Sequence, residues 1–222
     1  MVRDGIYYAL GLSVLAVIIG VLTTPWLAIV PLLFAAFFLW FFRDPERAVP
    51  HAPGLIVSPA DGKVTDVSNV AIDGAPRTRI SIFLNVFDVH VNRSPIAGTI
   101  TAVRYQKGRF GNAMANASSE ANEQNVITLQ GQGQTIVLRQ IAGLLARRLV
   151  FNKQLGEQVA RGERIGMMKF GSRMDVIMDP SVTLQVKLGD RVKGGVTVLA
   201  TSRATTNGEL ITAGEQRAGV EQ

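Results

Sequence analysis

Three short stretches hold the residues whose types could do chemistry. They are Gly171-Ser172 in "MMKFGSRMDV" (167–176), His90 in "FDVHVNRSP" (87–95) and Asp61 in "SPADGKV" (58–64). A serine hydroxyl can attack the carbonyl of the residue before it. Glycine suits that preceding position because it has no side chain and tolerates strained φ/ψ. The ester so formed can eliminate to dehydroalanine, whose hydrolysis leaves a new chain that begins with a pyruvoyl group. A pyruvoyl ketone forms a Schiff base with a substrate amine and takes up the electrons released on decarboxylation, a role usually given to pyridoxal phosphate. Taken alone, Gly-Ser also reads as ordinary turn punctuation. A hydrolase elbow does not fit, because "FGSRM" lacks the G-x-S-x-G spacing.

In a strand, alternation would place Asp88, His90 and Asn92 on one face. An imidazole between a carboxylate and an amide suits general acid–base work, and equally a structural histidine at a sheet edge. Asp61 precedes Gly62 and reads first as a turn residue between two strands.

Composition removes several alternatives. The chain of 222 residues has no cysteine and two histidines, His51 and His90. Thiolate nucleophiles, disulfides and Cys-ligated metals are thereby excluded, and no metal site is expected. The net charge of +6 favours anionic partners. Aromatic residues make up only 7% and several fall in the apolar N-terminus, so few platforms remain for stacking nucleic-acid bases. The basic residues Arg147, Arg148, Lys153, Arg161, Arg164, Lys169 and Arg173 are expected to form a solvated face or to meet anionic lipid headgroups.

The elements that must position these residues fall into two textures. From Gly5 to Phe42 no residue is charged. Thr23-Thr24-Pro25 breaks that run into two expected helices, near 6–23 and 26–42, each at the short end of what crosses a bilayer. Arg3 precedes this hairpin and Arg43 and Arg47 follow it, so the positive-inside rule puts both ends in the cytoplasm. The expected location is the inner membrane, with the rest of the chain on the cytoplasmic side. Residues 1–47 then form a membrane-anchoring hairpin, 48–204 a β-rich domain and 205–222 a flexible tail.

Beyond residue 47 short alternating runs read as strands, among them "GLIVSPADGKVTDVSNV", "RTRISIFLNVFDVHVN" and "QTIVLRQIAG". Residues 107–125 read as a long polar loop. "GEQVARGERIG" (156–166) and "GDRVKGGVTVL" (189–199) repeat one pattern, strand, tight turn, strand. Two such hairpins predict a mainly β fold, a β-sandwich or barrel-like sandwich of the pseudo-symmetric kind seen in lipoyl carrier domains. A membrane-tethered adaptor of that kind, with no catalysis, is the alternative from another class.

"FFRDPER", "VSPADGKVTDV", "FLNVFDVHVNRSPIAG", "ANEQN", "QIAGLLARR" and "KFGSRMDV" occur in this order over roughly residues 35–200. Together they resemble the short bacterial and archaeal form of phosphatidylserine decarboxylase. The resemblance implies a proenzyme that cuts itself between Gly171 and Ser172. It implies a larger chain of residues 1–171, held to a smaller chain of residues 172–222 as a heterodimer. It further implies a pyruvoyl cofactor made from Ser172, phosphatidylserine as substrate, and phosphatidylethanolamine and carbon dioxide as products. Asp61 and His90 match family positions tied to self-cleavage and acid–base work. Where longer members carry a second histidine, this chain has Arg93, which is expected to bind the substrate carboxylate or phosphate. A lipid-binding relative without catalysis is the other reading that Arg93 leaves open.

Overall fold

The computed structural model describes residues 3–72, 74–111, 121–144, 148–169 and 171–202, and the backbone of 205–206 and 209–210. The apolar run folds as helix α1 (Arg3–Leu22), a 3-10 turn (Pro25–Ala28) and helix α2 (Ile29–Phe41). The break falls at Thr24, whose φ of −129° and ψ of 141° are the extended values that a following proline imposes. Gly5, Ala9 and Ala16 of α1, and Pro31 and Ala35 of α2, are buried, as expected where small residues let two helices approach closely. The large side chains point the other way: Leu10, Val17, Val21, Leu22, Trp26 and Leu33 are all more than half exposed. With 20 residues and a mean hydropathy of 2.2, α1 is long and apolar enough to cross a membrane. The second helix is shorter than expected, with 13 residues after the 3-10 turn.

The rest of the described chain is mainly β. Its centre is an eight-stranded antiparallel sheet, curled into a half-barrel, in the order β13-β2-β3-β11-β7-β6-β5-β9. These strands are Arg191–Val192, Gly62–Ile72, Ala75–Leu84, Ser172–Met178, Gln134–Ile141, Gln124–Gly131, Gly98–Gln106 and Gln158–Val159. Two small sheets close its inner side. One joins β1 (Leu55–Val57), β14 (Val198–Thr201) and β12 (Thr183–Leu184). The other joins β4 (Val91–Arg93), β10 (Arg164–Met168) and β8 (Leu149–Phe151). Alternation sends Ile80, Ile82, Leu84, Met174, Val176, Ile127, Leu129 and Leu138 into the core between the layers. Beyond them β15 (Thr205–Thr206) pairs with β16 (Glu209–Leu210), and the rest of the expected tail, 207–208 and 211–222, lies outside the described residues.

A pseudo-twofold axis between β11 and β7 relates the halves of this assembly. The repeated segments at 156–166 and 189–199 correspond under it, but neither is the expected hairpin: β9 pairs with β5 while β10 pairs with β4 and β8, and β13 pairs with β2 while β14 pairs with β1 and β12, so each turn carries the chain from the large sheet to a small one. Their glycines take matching left-handed conformations: φ is +83° and +76° at Gly156 and Gly162, +93° and +77° at Gly189 and Gly195. A second repeat, Ser58-Pro59-Ala60-Asp61-Gly62 and Ser94-Pro95-Ile96-Ala97-Gly98, obeys the same axis. Its copies exchange backbone hydrogen bonds: the Val57 N–H donates to the Pro95 carbonyl at 3.0 Å and the Arg93 N–H to the Pro59 carbonyl at 2.8 Å. The Gly195 N–H meets the Ser58 carbonyl at 2.7 Å, and the Gly162 N–H meets the Ser94 carbonyl at 2.8 Å.

Two further expectations need correction. The strand read through "RTRISIFLNVFDVHVN" stops at Leu84. Asn85 and Asp88 close a turn there, with the Asn85 N–H on Asp88 Oδ2 at 2.8 Å and the Phe87 N–H on Asn85 Oδ1 at 3.2 Å. His90 therefore sits in a connection just before β4, and no strand alternation puts it on one face with Asp88. The loop expected over 107–125 ends early, since Gln124 already begins β6; residues 112–120 lie outside the described residues.

Candidate active site

Ser172 opens β11, at one end of the central sheet. It pairs with Leu84, the last residue of β3, and its side chain shares the core face with Met174. Gly171, just before it, has φ +61° and nothing within 4 Å of where a Cβ would be. That left-handed conformation is one an L-residue rarely adopts, so the chain needs glycine here for its backbone and not for space. Ser172 is fully buried, and its Oγ has no hydrogen-bond partner among the described residues.

His90 reaches the same end from the other side of β3, through the 85–88 turn. Its carbonyl accepts the Met168 N–H at 3.2 Å, four residues ahead of Ser172. The ring is fully buried and lies 4.4 Å, centroid to centroid, from Phe41 at the foot of α2. Neither ring nitrogen makes a well-aligned hydrogen bond among the described residues, although the Asp88 backbone lies close enough to act on the ring. Burial pushes the imidazole down from 6.5 to about 4; Asp88 opposes the shift and the Arg43 charge adds to it. At neutral pH this is an uncharged imidazole, free to accept a proton without first losing one.

Asp61 lies beside Gly62, and the β2–β3 register continues from Lys63–Phe83 towards Leu84, so it too stands at this end of the sheet. Its carboxylate is already held. Arg47 Nη2 donates to both oxygens, at 3.1 and 2.8 Å, and the Gly194 N–H donates to Oδ1 at 2.7 Å. No hydrogen bond joins it to His90 or Ser172. Arg93 is similarly engaged: its guanidinium donates to Asp44 Oδ1 at 2.8 Å, the Pro45 carbonyl at 3.2 Å and the Gly162 carbonyl at 3.0 Å. Asp44 also pairs with Arg164, so the segment leaving the hairpin is locked to the β domain through one buried carboxylate.

Four members of the basic cluster are held inside the fold, while Arg148 and Arg164 are exposed. Lys153 pairs with Glu157 and Glu163, and Arg161 donates to the Pro50 and Ala52 carbonyls. Lys169 pairs with Asp4 of α1 at 2.6 Å, and Arg173 with Asp175 at 2.6 Å. Arg147 lies outside the described residues. The cause is the fold itself: carbonyls and carboxylates far away in sequence meet these cations, which composition alone does not reveal.

A buried chain of amides escaped the reading of the sequence as chemistry. Asn125 Nδ2 donates to Gln140 Oε1 at 2.9 Å and Gln140 Nε2 to Asn92 Oδ1 at 2.8 Å, while Asn92 Nδ2 finds no partner among the described residues. Gln140 pairs with Met174, two residues along from Ser172 and on the same face. Beside it Asn122 donates to the carbonyls of Ala142 and Gly111, at 2.7 and 3.0 Å. The "ANEQN" string was the available signal, since three buried amides in five residues need partners inside the fold. A separate cavity of about 220 Å³, lined by Arg77, Thr128, Thr135, Val137 and Ile177, opens on the opposite face of the sheet and away from Ser172.

Comparison with known proteins agrees with this geometry. The family model for phosphatidylserine decarboxylase matches residues 34–200. A phosphatidylserine decarboxylase proenzyme of Solibacter usitatus is 52% identical over 200 residues, covering 90% of this chain and 96% of the relative. One of Syntrophus aciditrophicus is 43% identical over 205 residues, with 90% and 96% covered. One of Zymomonas mobilis is 48% identical over 170 residues, with 72% and 69% covered. A left-handed glycine before a buried serine, a buried imidazole at the same end of the sheet and a match that spans most of both chains lead to one conclusion: this protein belongs to the phosphatidylserine decarboxylase family and is a carboxy-lyase.

Proposed function

We propose that the chain is a proenzyme that cuts itself between Gly171 and Ser172 and then decarboxylates phosphatidylserine to phosphatidylethanolamine and carbon dioxide. The observation that carries this reading is that Ser172 Oγ and the His90 ring, two fully buried polar groups, stand at the same end of the sheet and neither is held by a hydrogen bond to another side chain among the described residues. A buried polar group left unpaired is costly, and fold stability gains nothing from two of them. The pyruvoyl group fits this position, because its precursor hydroxyl is unpaired and the preceding residue is a left-handed glycine. When formed, that group supplies an electron sink for the electrons released with carbon dioxide.

In maturation His90 takes the Ser172 hydroxyl proton as the oxygen attacks the Gly171 carbonyl carbon. The peptide C–N bond breaks, an ester C–O bond forms, and the proton moves to the freed amine. Loss of the Ser172 α proton then expels the Gly171 carboxylate, and water releases ammonia from the dehydroalanine. In turnover His90 relays a proton from water to the substrate α carbon once carbon dioxide has left. Asp61, tied to Arg47 and Gly194, fixes the start of β2 against β13, which makes it a positioning residue in this reading. Arg93 fastens the hairpin's exit to the β domain instead of meeting substrate.

The apolar exterior of α1 and α2 supports membrane association, and both feet of the hairpin lie at the site. Lys169, three residues ahead of Ser172, holds Asp4, and Phe41 and Phe42 pack on Val89, Val91 and Met167. Arg3, Arg43 and Arg47 favour the cytoplasmic side. The site thus faces the leaflet where an anionic lipid headgroup would be met.

The test is an intact-mass spectrum of the purified full chain, before and after borohydride. Two polypeptides cut at 171/172, with a reducible ketone on the smaller, are expected. A single uncut chain from a folded preparation refutes self-cleavage and favours the adaptor or lipid-binding alternative.

A further inference from the structure

Resting on the reading that the apolar hairpin lies in a bilayer, we infer that the turn carrying His90 makes a second contact with the lipid surface. Phe87, at the tip of the 85–88 turn, is 68% exposed although it is large and apolar. Its ring lies 6.0 Å from that of Trp40, itself 40% exposed at the foot of α2. The Arg43 guanidinium sits 4.1 Å from the Trp40 ring centroid and donates to the Trp40 and Phe87 carbonyls, at 3.0 and 2.7 Å. Arg191, 70% exposed in its side chain, reaches Asp88 of the same turn at 3.0 Å. The next turn exposes Leu188 to 66%.

An aromatic pair rimmed by arginines is the composition of a membrane–water interface, where rings sit at headgroup depth and cations meet anionic lipid. The surface is continuous with the lipid-facing side of the hairpin through Leu39 and Trp40, both exposed. The turn is held to the hairpin by Arg43, so it cannot drift from that depth independently. Behind Phe87, Val89 packs on the buried feet of the hairpin, and His90 lies against Phe41. The occupant of this surface is an anionic phospholipid bilayer. Its effect is to hold the turn that leads into His90 at the depth of the lipid headgroups.

The full chain, reconstituted in phosphatidylglycerol–phosphatidylcholine vesicles, provides the test. Three single-tryptophan variants are compared, with lipids brominated near the carbonyl region as quenchers. Trp40→Phe leaves Trp26 as the reporter of the hairpin. Phe87→Trp and Tyr105→Trp are each made with both native tryptophans replaced by Phe; Tyr105 is exposed on β5, near the opposite edge of the sheet. The inference expects brominated lipid to remove most of the emission at positions 26 and 87 and none at 105. Quenching at 26 without quenching at 87 overturns the inference and leaves the membrane reading standing. Quenching at neither overturns both. Emission at 87 that is shielded from acrylamide yet blind to bromine assigns the surface to a protein partner and also overturns it.

Discussion

The two ends of the central sheet share a backbone and differ in their side chains. At one end the β6–β7 hairpin closes through Gln132 and Gly133, with φ +69° at the glycine, and Gly131 pairs with Gln134. At the other end, Leu84 stands where Gly131 does, Ser172 where Gln134 does, and Gly171, with φ +61°, where Gly133 does. Instead of turning into the next strand, β3 runs on into the 85–88 turn, and β11 arrives from elsewhere. The pseudo-symmetry likewise sets Asp61 against Ala97 and His90 against Gly54. One end is therefore a closed hairpin with inert residues, and its mate is an opened hairpin with a hydroxyl, an imidazole and a carboxylate. Opening the turn frees the Gly-Ser peptide from the duty of connecting adjacent strands, so the proposed cut there leaves every ladder intact.

This contrast can be broken experimentally. The largest effect is expected from Ser172→Ala, which abolishes both cutting and decarboxylation, whereas Gln134→Ala at the matching position leaves both near wild type. Intact mass and a carbon dioxide release assay read the two, and equal behaviour of the pair would remove the functional meaning of the asymmetry. Next in size is Asp175→Asn. Arg173 and Asp175 are at most 2% exposed in their side chains, and Arg173 also donates to Ser81 at 2.8 Å, while the symmetry mates Thr135 and Val137 carry no charge. Stripping one partner from a buried pair costs about 3–5 kcal/mol, measurable by denaturant unfolding of the full chain in detergent.

A pH series sharpens the comparison at His90. The unfolded imidazole protonates near 6.5 and the folded one only at about 4, so between these values the unfolded state binds more protons. Folding stability from this group is complete above pH 6.5 and is lost as pH falls towards 4, by about 3 kcal/mol. The difference between wild type and His90→Asn should show that slope, and a flat difference would mean the ring is wet. The smallest effect belongs to the paired glycines. Gly133→Ala and Gly171→Ala each place a Cβ in left-handed backbone, at about 1–2 kcal/mol. Only the second is expected to slow self-cutting as well, as followed by gel over time.

How much of this was legible depended on range. The helix break at Thr23-Thr24-Pro25 and the tight glycine turns of the 156–166 and 189–199 repeat were readable because local chemistry dictates them, whereas the sheets that receive the flanking strands, which are not hairpin partners, were not. The strand misread at 85–90 came from Val86, Phe87, Val89 and Val91, which keep up an apolar texture while Asn85 and Asp88 bend the chain. The partners of Asp61, Arg93 and Lys169 were invisible for another reason. Each lies across the fold, Lys169 meeting Asp4 from 165 positions away, and no periodicity encodes such a meeting. The Ser-Pro-x-x-Gly repeat was in plain view, but its meaning as a dyad rests on hydrogen bonds that only the folded chain displays.

One feature of β11 has a kinetic consequence. The strand is paired along its length on both sides, to β3 and to β7, and the strands that follow it add pairings to β2 and β1. A chain cut at 171/172 would therefore hold its smaller piece by the cohesion of the whole sheet, with no covalent link. The two pieces would exchange between molecules no faster than the molecule unfolds. Renaturation, first order in the uncut chain, would become second order once the backbone is cut, and dilution alone would then decide whether a denatured sample recovers.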